Sequence, residues 1–422
     1  MNPAWSFPAR PPEVRAAAQT DGLLPSRLVR WALYGFVFSL AFDAPGKFTL
    51  EITTLTGALF LLATLYQPRL CYGRWPGALV WFLAYLYVYA VAFVVGGGLR
   101  PGSALVTVVL MVEAILIFWA GCNLMRHEGV ARAVVVTLVV ACLILATMTL
   151  LGIGNEATPD ELHRVSVLGQ NPNRTARVLG AGLLGVVALS YSLSPSVLRP
   201  RLLAWPCAGL MLLAMLIGGS RGALLALAAG FWTFTIAGKN IRVKLRNALV
   251  ALLALGFCIA ATLQSPLMMR RFSMAEEGNL AQREKIFPTL WEMFLEKPLI
   301  GWGPNNKFEL SERLHLSPQV YASRDTHNLV LEVLTGTGVA GAIPFFLGFG
   351  LCFWAAWRVR NGTRGILPFA LTTAVLVGNM SGNFIAFKLT WLVLAYAVSG
   401  NGQHATSQVF QRVGRRFNSS HM

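Results

Sequence analysis

Charge is what this 422-residue chain has least of: 13% of its residues are Asp, Glu, Lys or Arg, against 55% hydrophobic. A soluble globular domain carries roughly 25% charged residues, so a soluble fold is excluded. Acids are the scarcer sign, with 18 Asp and Glu against 35 Lys and Arg. Cysteine is scarce as well. The six present, Cys71, Cys122, Cys142, Cys207, Cys258 and Cys352, include no Cys-x-x-Cys pair. They read as small buried hydrophobes, neither a disulfide framework nor a thiolate site. Asp-x-Asp and His-x-x-x-His pairings are missing too, so no metal site is expected. No P-loop and no Ser-centred nucleophile elbow is assigned, and Gly301-x-Gly303 alone is too little to mean a nucleotide.

Apolar residues, by contrast, are abundant and come in long runs. Mean hydropathy is +0.58, and the runs reach about 20 residues, the length that crosses a hydrocarbon core of about 30 Å. The expectation is an all-α polytopic membrane protein, one transmembrane domain over 1–422 with about twelve transmembrane helices. The spans fall roughly at 29–45, 49–66, 76–96, 103–124, 131–153, 174–194, 202–218, 222–238, 247–265, 338–357, 366–385 and 386–400. The polar, Pro-rich start lacks the apolar core of a cleavable signal, so the first span is expected to direct insertion.

A net charge of +17 would suggest nucleic acid in a soluble protein. Here it sorts by side, and no nucleic-acid partner is expected. With both termini inside, the cytoplasmic segments collect Arg27 and Arg30, Arg69 and Arg74, Arg126 and Arg132, Arg199 and Arg201, Lys239 to Arg246, Arg358 to Arg364, and Arg412 to Arg416. The short outer loops hold far fewer, mainly Lys47, Arg100, Arg164, Arg174 and Arg177. Excess cations on the cytoplasmic side orient a membrane protein, so N-in and C-in follow.

Two outer segments are long, about 155–173 and 266–326, and long loops commonly carry function. Within the second, Leu280 to Glu296 is predicted to be an amphipathic helix. Its stripe is Ile286, Phe287, Leu290, Trp291, Phe294 and Leu295, with Trp291 at headgroup level. Lys297-Pro298 ends it, and Gly301-Trp302-Gly303-Pro304 is turn chemistry.

This polar segment closes on Asp325-Thr326-His327-Asn328, directly before the apolar run Leu329-Val330-Leu331. Thr326 or Asp325 is placed to cap the helix. A histidine in its first turn is kept neutral by the helix dipole and can accept a proton from a hydroxyl. His327 is therefore either a general base or an interfacial residue without chemistry, and Asp325 orients it, caps the helix, or does neither. Arg221, in the turn Gly218-Gly219-Ser220-Arg221-Gly222, suits an anionic headgroup such as a phosphate, or else snorkels at the interface. Arg283 opens the predicted surface helix, with Glu284 as a possible partner. Arg174 and Arg177 begin a span after Gln170-Asn171-Pro172-Asn173, and together these arginines would form a positive outer rim. Glu113 and Glu332 are acids inside spans, a placement that calls for a partner or a function; Glu332 would pair with an arginine of the rim.

Gly219-Ser-Arg-Gly222, Arg283 leading through Trp291 to Pro298-Leu-Ile-Gly-Trp-Gly-Pro-Asn-Asn306, and Thr326-His-Asn-Leu329 resemble the O-antigen ligase/polymerase superfamily, in order over roughly 165–400. The resemblance implies a GT-C-type glycosyltransferase in the bacterial inner membrane, working at the periplasmic face without cofactor or metal. It implies an undecaprenyl pyrophosphate-linked O-antigen donor and a lipid A–core acceptor, with inversion at the anomeric carbon. It also implies His327 as the essential histidine and Arg221 and Arg283 as the essential arginines, with Arg174, Arg177, Asn328 and Asp325 as further candidates for substrate binding. The neighbouring alternative is an O-antigen polymerase, which uses a second lipid-linked glycan as acceptor. A lipid-linked glycan transporter would call for charges deep in several spans.

Overall fold

The computed structural model describes residues 24–43, 51–95, 104–157, 164–192, 198–236, 240–276, 282–315, 326–382 and 385–400. Asp325, part of the opening of the predicted 280–296 helix, and both chain ends lie outside these residues. The described chain is helical apart from one two-stranded antiparallel ribbon, β1 (Asn155–Ala157) with β2 (Val165–Val167), register Glu156 opposite Ser166. The helices, in order, are α1 (Arg27–Ser39), α2 (Ile52–Thr64), α3 (Pro68–Tyr72), α4 (Gly77–Val95), α5 (Ala104–Leu124) and α6 (Glu128–Leu151). They continue with α7 (Pro172–Ser192), α8 (Leu198–Ile217), α9 (Arg221–Trp232), α10 (Ile241–Leu263), α11 (Pro266–Glu276), α12 (Arg283–Glu296) and α13 (Asn306–Arg313). The last are α14 (Leu329–Arg358), α15 (Leu367–Asn379) and α16 (Lys388–Ser399).

Each segment read as a span overlaps one of these helices. By length and composition five are long and apolar enough to cross a membrane: Gly77–Val95, Leu105–Leu124, Glu128–Leu151, Ile241–Leu263 and Leu329–Arg358. Five more are apolar but shorter, among them α15 and α16; at 1.5 Å per residue a 12-residue helix covers only about 18 Å. Together these features fit a polytopic membrane protein.

The core is an aromatic knot where α4, α5, α14 and α16 meet. Phe82 packs edge-on against Trp391 at 4.9 Å and Phe118 at 5.2 Å, and Tyr85 against Phe345 at 5.0 Å. Gly348 of α14 lies flat on the Phe82 ring, where a Cβ would stand 2.8 Å from it. Aromatic area of this kind dominates burial, and it fixes α14 against α4. A second sheaf, α7 with α8 and α9, and α9 with α15, packs beside it.

The span expected to open at 338 is the second half of a longer, broken helix. Within Leu329–Arg358, Gly338 has φ 59° and ψ −163°, a conformation open mainly to glycine. The break frees backbone groups that must find partners, and the Pro298–Trp302 loop supplies them. Val339 N donates to Pro298 O at 2.8 Å, Ala340 N to Leu299 O at 3.1 Å, and Trp302 N to Thr335 O at 2.7 Å. What reads as turn chemistry is thus a plug in a helix. Gly301, at φ 75°, must be bare because a Cβ would lie 2.6 Å from Thr335 O.

The surface helix begins at Arg283, and its apolar residues divide between two faces. Ile286, Leu290 and Met293, at i, i+4, i+7, are buried against Leu310, with Trp302 and Leu331 packed on them. Trp291 and Leu295 of the predicted stripe are 50% and 59% exposed. The stripe is wider than one docking face, so these two residues turn away from the protein.

Candidate active site

One turn, Met380-Ser381, gathers the elements that carry the candidate residues. It follows α15, and Ser381 Oγ donates to Gly378 O at 3.1 Å. Arg177, on the first turns of α7, donates from Nη2 to Ser381 Oγ at 3.1 Å. Arg283, the first residue of α12, donates from Nη2 to Ser381 O at 2.9 Å. Asn328, at the head of α14, donates from Nδ2 to Met380 O at 3.4 Å. Gly222, in the first turn of α9, lies so close that a Cβ would run into Ser381 Oγ. That glycine seats α9 on the turn and so brings its neighbour Arg221 to the same place.

Arg221 is held by its own contact, Nη1 donating to Arg271 O on α11 at 2.7 Å. Its approach needs Gly219 at φ 61°, packed on Leu267. Ser220 caps α9, its hydroxyl accepting from Ala223 N at 3.3 Å. The string Gly218-x-Ser220-x-Gly222 does have the spelling of a nucleophile elbow, missed in the sequence reading. That motif needs a strand entering the turn; here a helix enters it and the hydroxyl serves as a cap.

Positive charge gathers at this turn. Burial and the positive charges of Arg221 and Arg164 push the Arg283 guanidinium below its usual range. Its partner is a carbonyl, not the neighbouring Glu284, and none of the ion pairs among the described residues falls on Arg221 or Arg283. Like charges brought together repel unless an anion joins them.

His327 stands two residues before the start of α14, next to its cap. The cap of that helix is Asn328, whose Oδ1 accepts from Val330 N at 2.9 Å and Leu331 N at 3.1 Å; Thr326 Oγ1 donates to Asn328 O instead at 3.4 Å. The expected cap, Thr326 or Asp325, is thus replaced by Asn328, because an Asn side chain reaches the first free N–H groups from the position next to the helix. His327 is not in the first turn. It sits at φ 55°, in the left-handed region that costs a β-carbon residue of order 1–3 kcal/mol. The same asparagine that holds the helix head binds the Met380-Ser381 turn, which ties His327 to the arginines.

Arg174 goes elsewhere. It faces Asp43 at 3.5 Å and Glu51 at 3.7 Å and lies over the Phe387 ring at 5.6 Å. Beside it Lys388 pairs with Glu113 at 3.1 Å and donates to Thr54 Oγ1 at 2.7 Å. Glu113 therefore has its partner, and Glu332 faces Tyr85 and Tyr89 of α4.

Sequence reasoning missed Ser381, Met380, Lys388, Asp43 and Glu51. An available signal was Lys388 at the start of one apolar run and Glu113 inside another, opposite charges that each need a partner. Ser381-Gly382 carried only a turn signal.

The family model described as O-Antigen ligase matches residues 206–346. That stretch contains Arg221, Arg283, His327 and Asn328; it begins after Arg174 and Arg177 and ends before Ser381. Among curated proteins none matches the chain.

Proposed function

With the chain a member of the O-antigen ligase/polymerase superfamily, we propose that it is the ligase: an inverting, metal-independent glycosyltransferase that moves O-antigen from undecaprenyl pyrophosphate to a sugar hydroxyl of lipid A–core. One observation carries the reading. Guanidinium groups from separate helices converge on the turn that also anchors the head of the His327 helix.

The reaction is a single displacement. The acceptor hydroxyl oxygen attacks the anomeric carbon while the imidazole of His327 takes its proton. The bond from that carbon to the phosphate oxygen breaks, and its electron pair leaves with undecaprenyl pyrophosphate. Arg221 and Arg283 receive the charge that develops there. General bases contribute about 10²–10⁴-fold.

In this reading about twelve transmembrane helices span the bacterial inner membrane in a GT-C-type arrangement with both termini cytoplasmic. The site then faces the periplasm on the 266–326 segment and its neighbouring turns. Trp291 and Leu295, exposed on α12, suit the headgroup layer.

The test is transfer by purified protein in chelator, given the lipid-linked donor with or without lipid A–core. Ligated product that is lost in His327→Ala supports the reading. Chain extension from donor alone makes the protein a polymerase, and undiminished transfer by His327→Ala removes the assigned base.

A further inference from the structure

Arg177 and Ser381 lie outside the pair of arginines assigned above, yet the geometry ties them to the same anion. Ser381 gives both of its oxygens to guanidinium groups: the hydroxyl accepts from Arg177 at 3.1 Å and the carbonyl from Arg283 at 2.9 Å. The hydroxyl proton is spent on Gly378 O at 3.1 Å, so its lone pairs face Arg177 and the polarity of the bond is set. Gly378 and Gly222 flank Arg177. A Cβ on Gly378 would stand 3.5 Å from its Nε, and one on Gly222 would stand 4.0 Å from its Nη2, both ordinary van der Waals separations.

We propose that Arg177 is a third ligand of the diphosphate and that Ser381 is a positioning residue, setting the separation of Arg177 and Arg283 so that both phosphates are engaged. This rests on the ligase reading for the identity of the anion. The added content is specificity. Two guanidinium groups suffice for one phosphate, since each pairs bidentately with its oxygens; a third, held a fixed distance away, favours a second phosphate. Arg177 should therefore set the preference for a diphosphate headgroup over a monophosphate one. Ser381 would act through Arg177, not on the lipid itself.

The experiment measures binding of farnesyl pyrophosphate and farnesyl monophosphate to the full chain in detergent. Arg177→Gln should weaken the diphosphate about 10-fold, the size of a lost charge-assisted hydrogen bond, and the monophosphate by less than about 2-fold. Ser381→Ala should weaken the diphosphate about 5-fold. Combined with Arg177→Gln it should add less than about 2-fold, because residues acting through one another are not additive. A merely structural serine would lower both affinities alike and add in full to Arg177→Gln. Either result overturns the proposal, as does an Arg177→Gln protein that keeps the diphosphate preference. If Ser381→Ala does not fold, the Arg177→Gln arm decides alone. Wild-type protein that binds neither lipid would instead sink the ligase reading beneath it.

Discussion

Arg174 and Arg177 are three residues apart on the first turns of α7, on neighbouring faces of one helix, and their surroundings are of opposite kinds. Arg174 meets the carboxylates of Asp43 and Glu51, next to the buried pair Lys388–Glu113. Arg177 meets a serine hydroxyl, in company with Arg283 and the start of α9. The first group is electrically satisfied within the protein. In the second, Arg177 donates to a hydroxyl and Arg283 and Arg221 to carbonyl oxygens, contacts that orient a guanidinium without cancelling its charge. Cations that the fold neutralises join helices; cations it positions but leaves positive are available to an anion. Proximity in sequence says nothing about which is which.

The largest effect expected from breaking this contrast is on stability. Lys388→Met strands Glu113, and removing one member of a buried pair costs about 3–5 kcal/mol. It should lower the melting temperature in detergent while transfer per folded molecule persists; adding Glu113→Leu should restore most of the loss. Next comes Arg283→Gln on the other side. Loss of an oxyanion-type donor costs about 10²–10³ in rate, or roughly 2.7–4 kcal/mol. Transfer should fall by that factor with the melting temperature unchanged.

Gly222→Ala tests how tightly α9 must sit on Ser381. Overpacking of about 1–3 kcal/mol should displace the turn and weaken diphosphate binding more than it lowers the melting temperature. The smallest effect belongs to the satisfied ion pair on the surface, Arg313 with Glu296 at 2.6 Å. The hydrogen bond from Arg313 holds the Glu296 carboxyl below the usual carboxylate range. Its contribution is therefore present above the unfolded carboxylate's range and lost as pH falls through the depressed folded value. With Glu296 49% exposed, it amounts to less than about 1 kcal/mol. The melting temperatures of wild type and Glu296→Gln should converge as pH falls below about 4.

Much of this contrast was out of reach of the sequence for a physical reason. Apolar runs announce helices because burial repeats along the chain, and each expected span overlaps one. His327, Arg221 and Arg283 stood out because polar residues at the edge of such runs need explaining. Ser381 did not, because a single hydroxyl in a turn has no period. Its arginine partners are 98 and 204 residues away, and Asp43 and Glu51 are likewise far in sequence from Arg174. The break at Gly338 was hidden likewise: the residue reads as one more small apolar position until the 298–302 loop is seen entering beside it.

The most direct measurement is farnesyl pyrophosphate affinity and melting temperature in parallel for Arg174→Gln and Arg283→Gln. The account predicts that Arg283→Gln melts like wild type and loses the diphosphate, while Arg174→Gln melts lower and binds it normally once folded. Loss of binding at an unchanged melting temperature in Arg174→Gln, with Arg283→Gln binding normally, would contradict it.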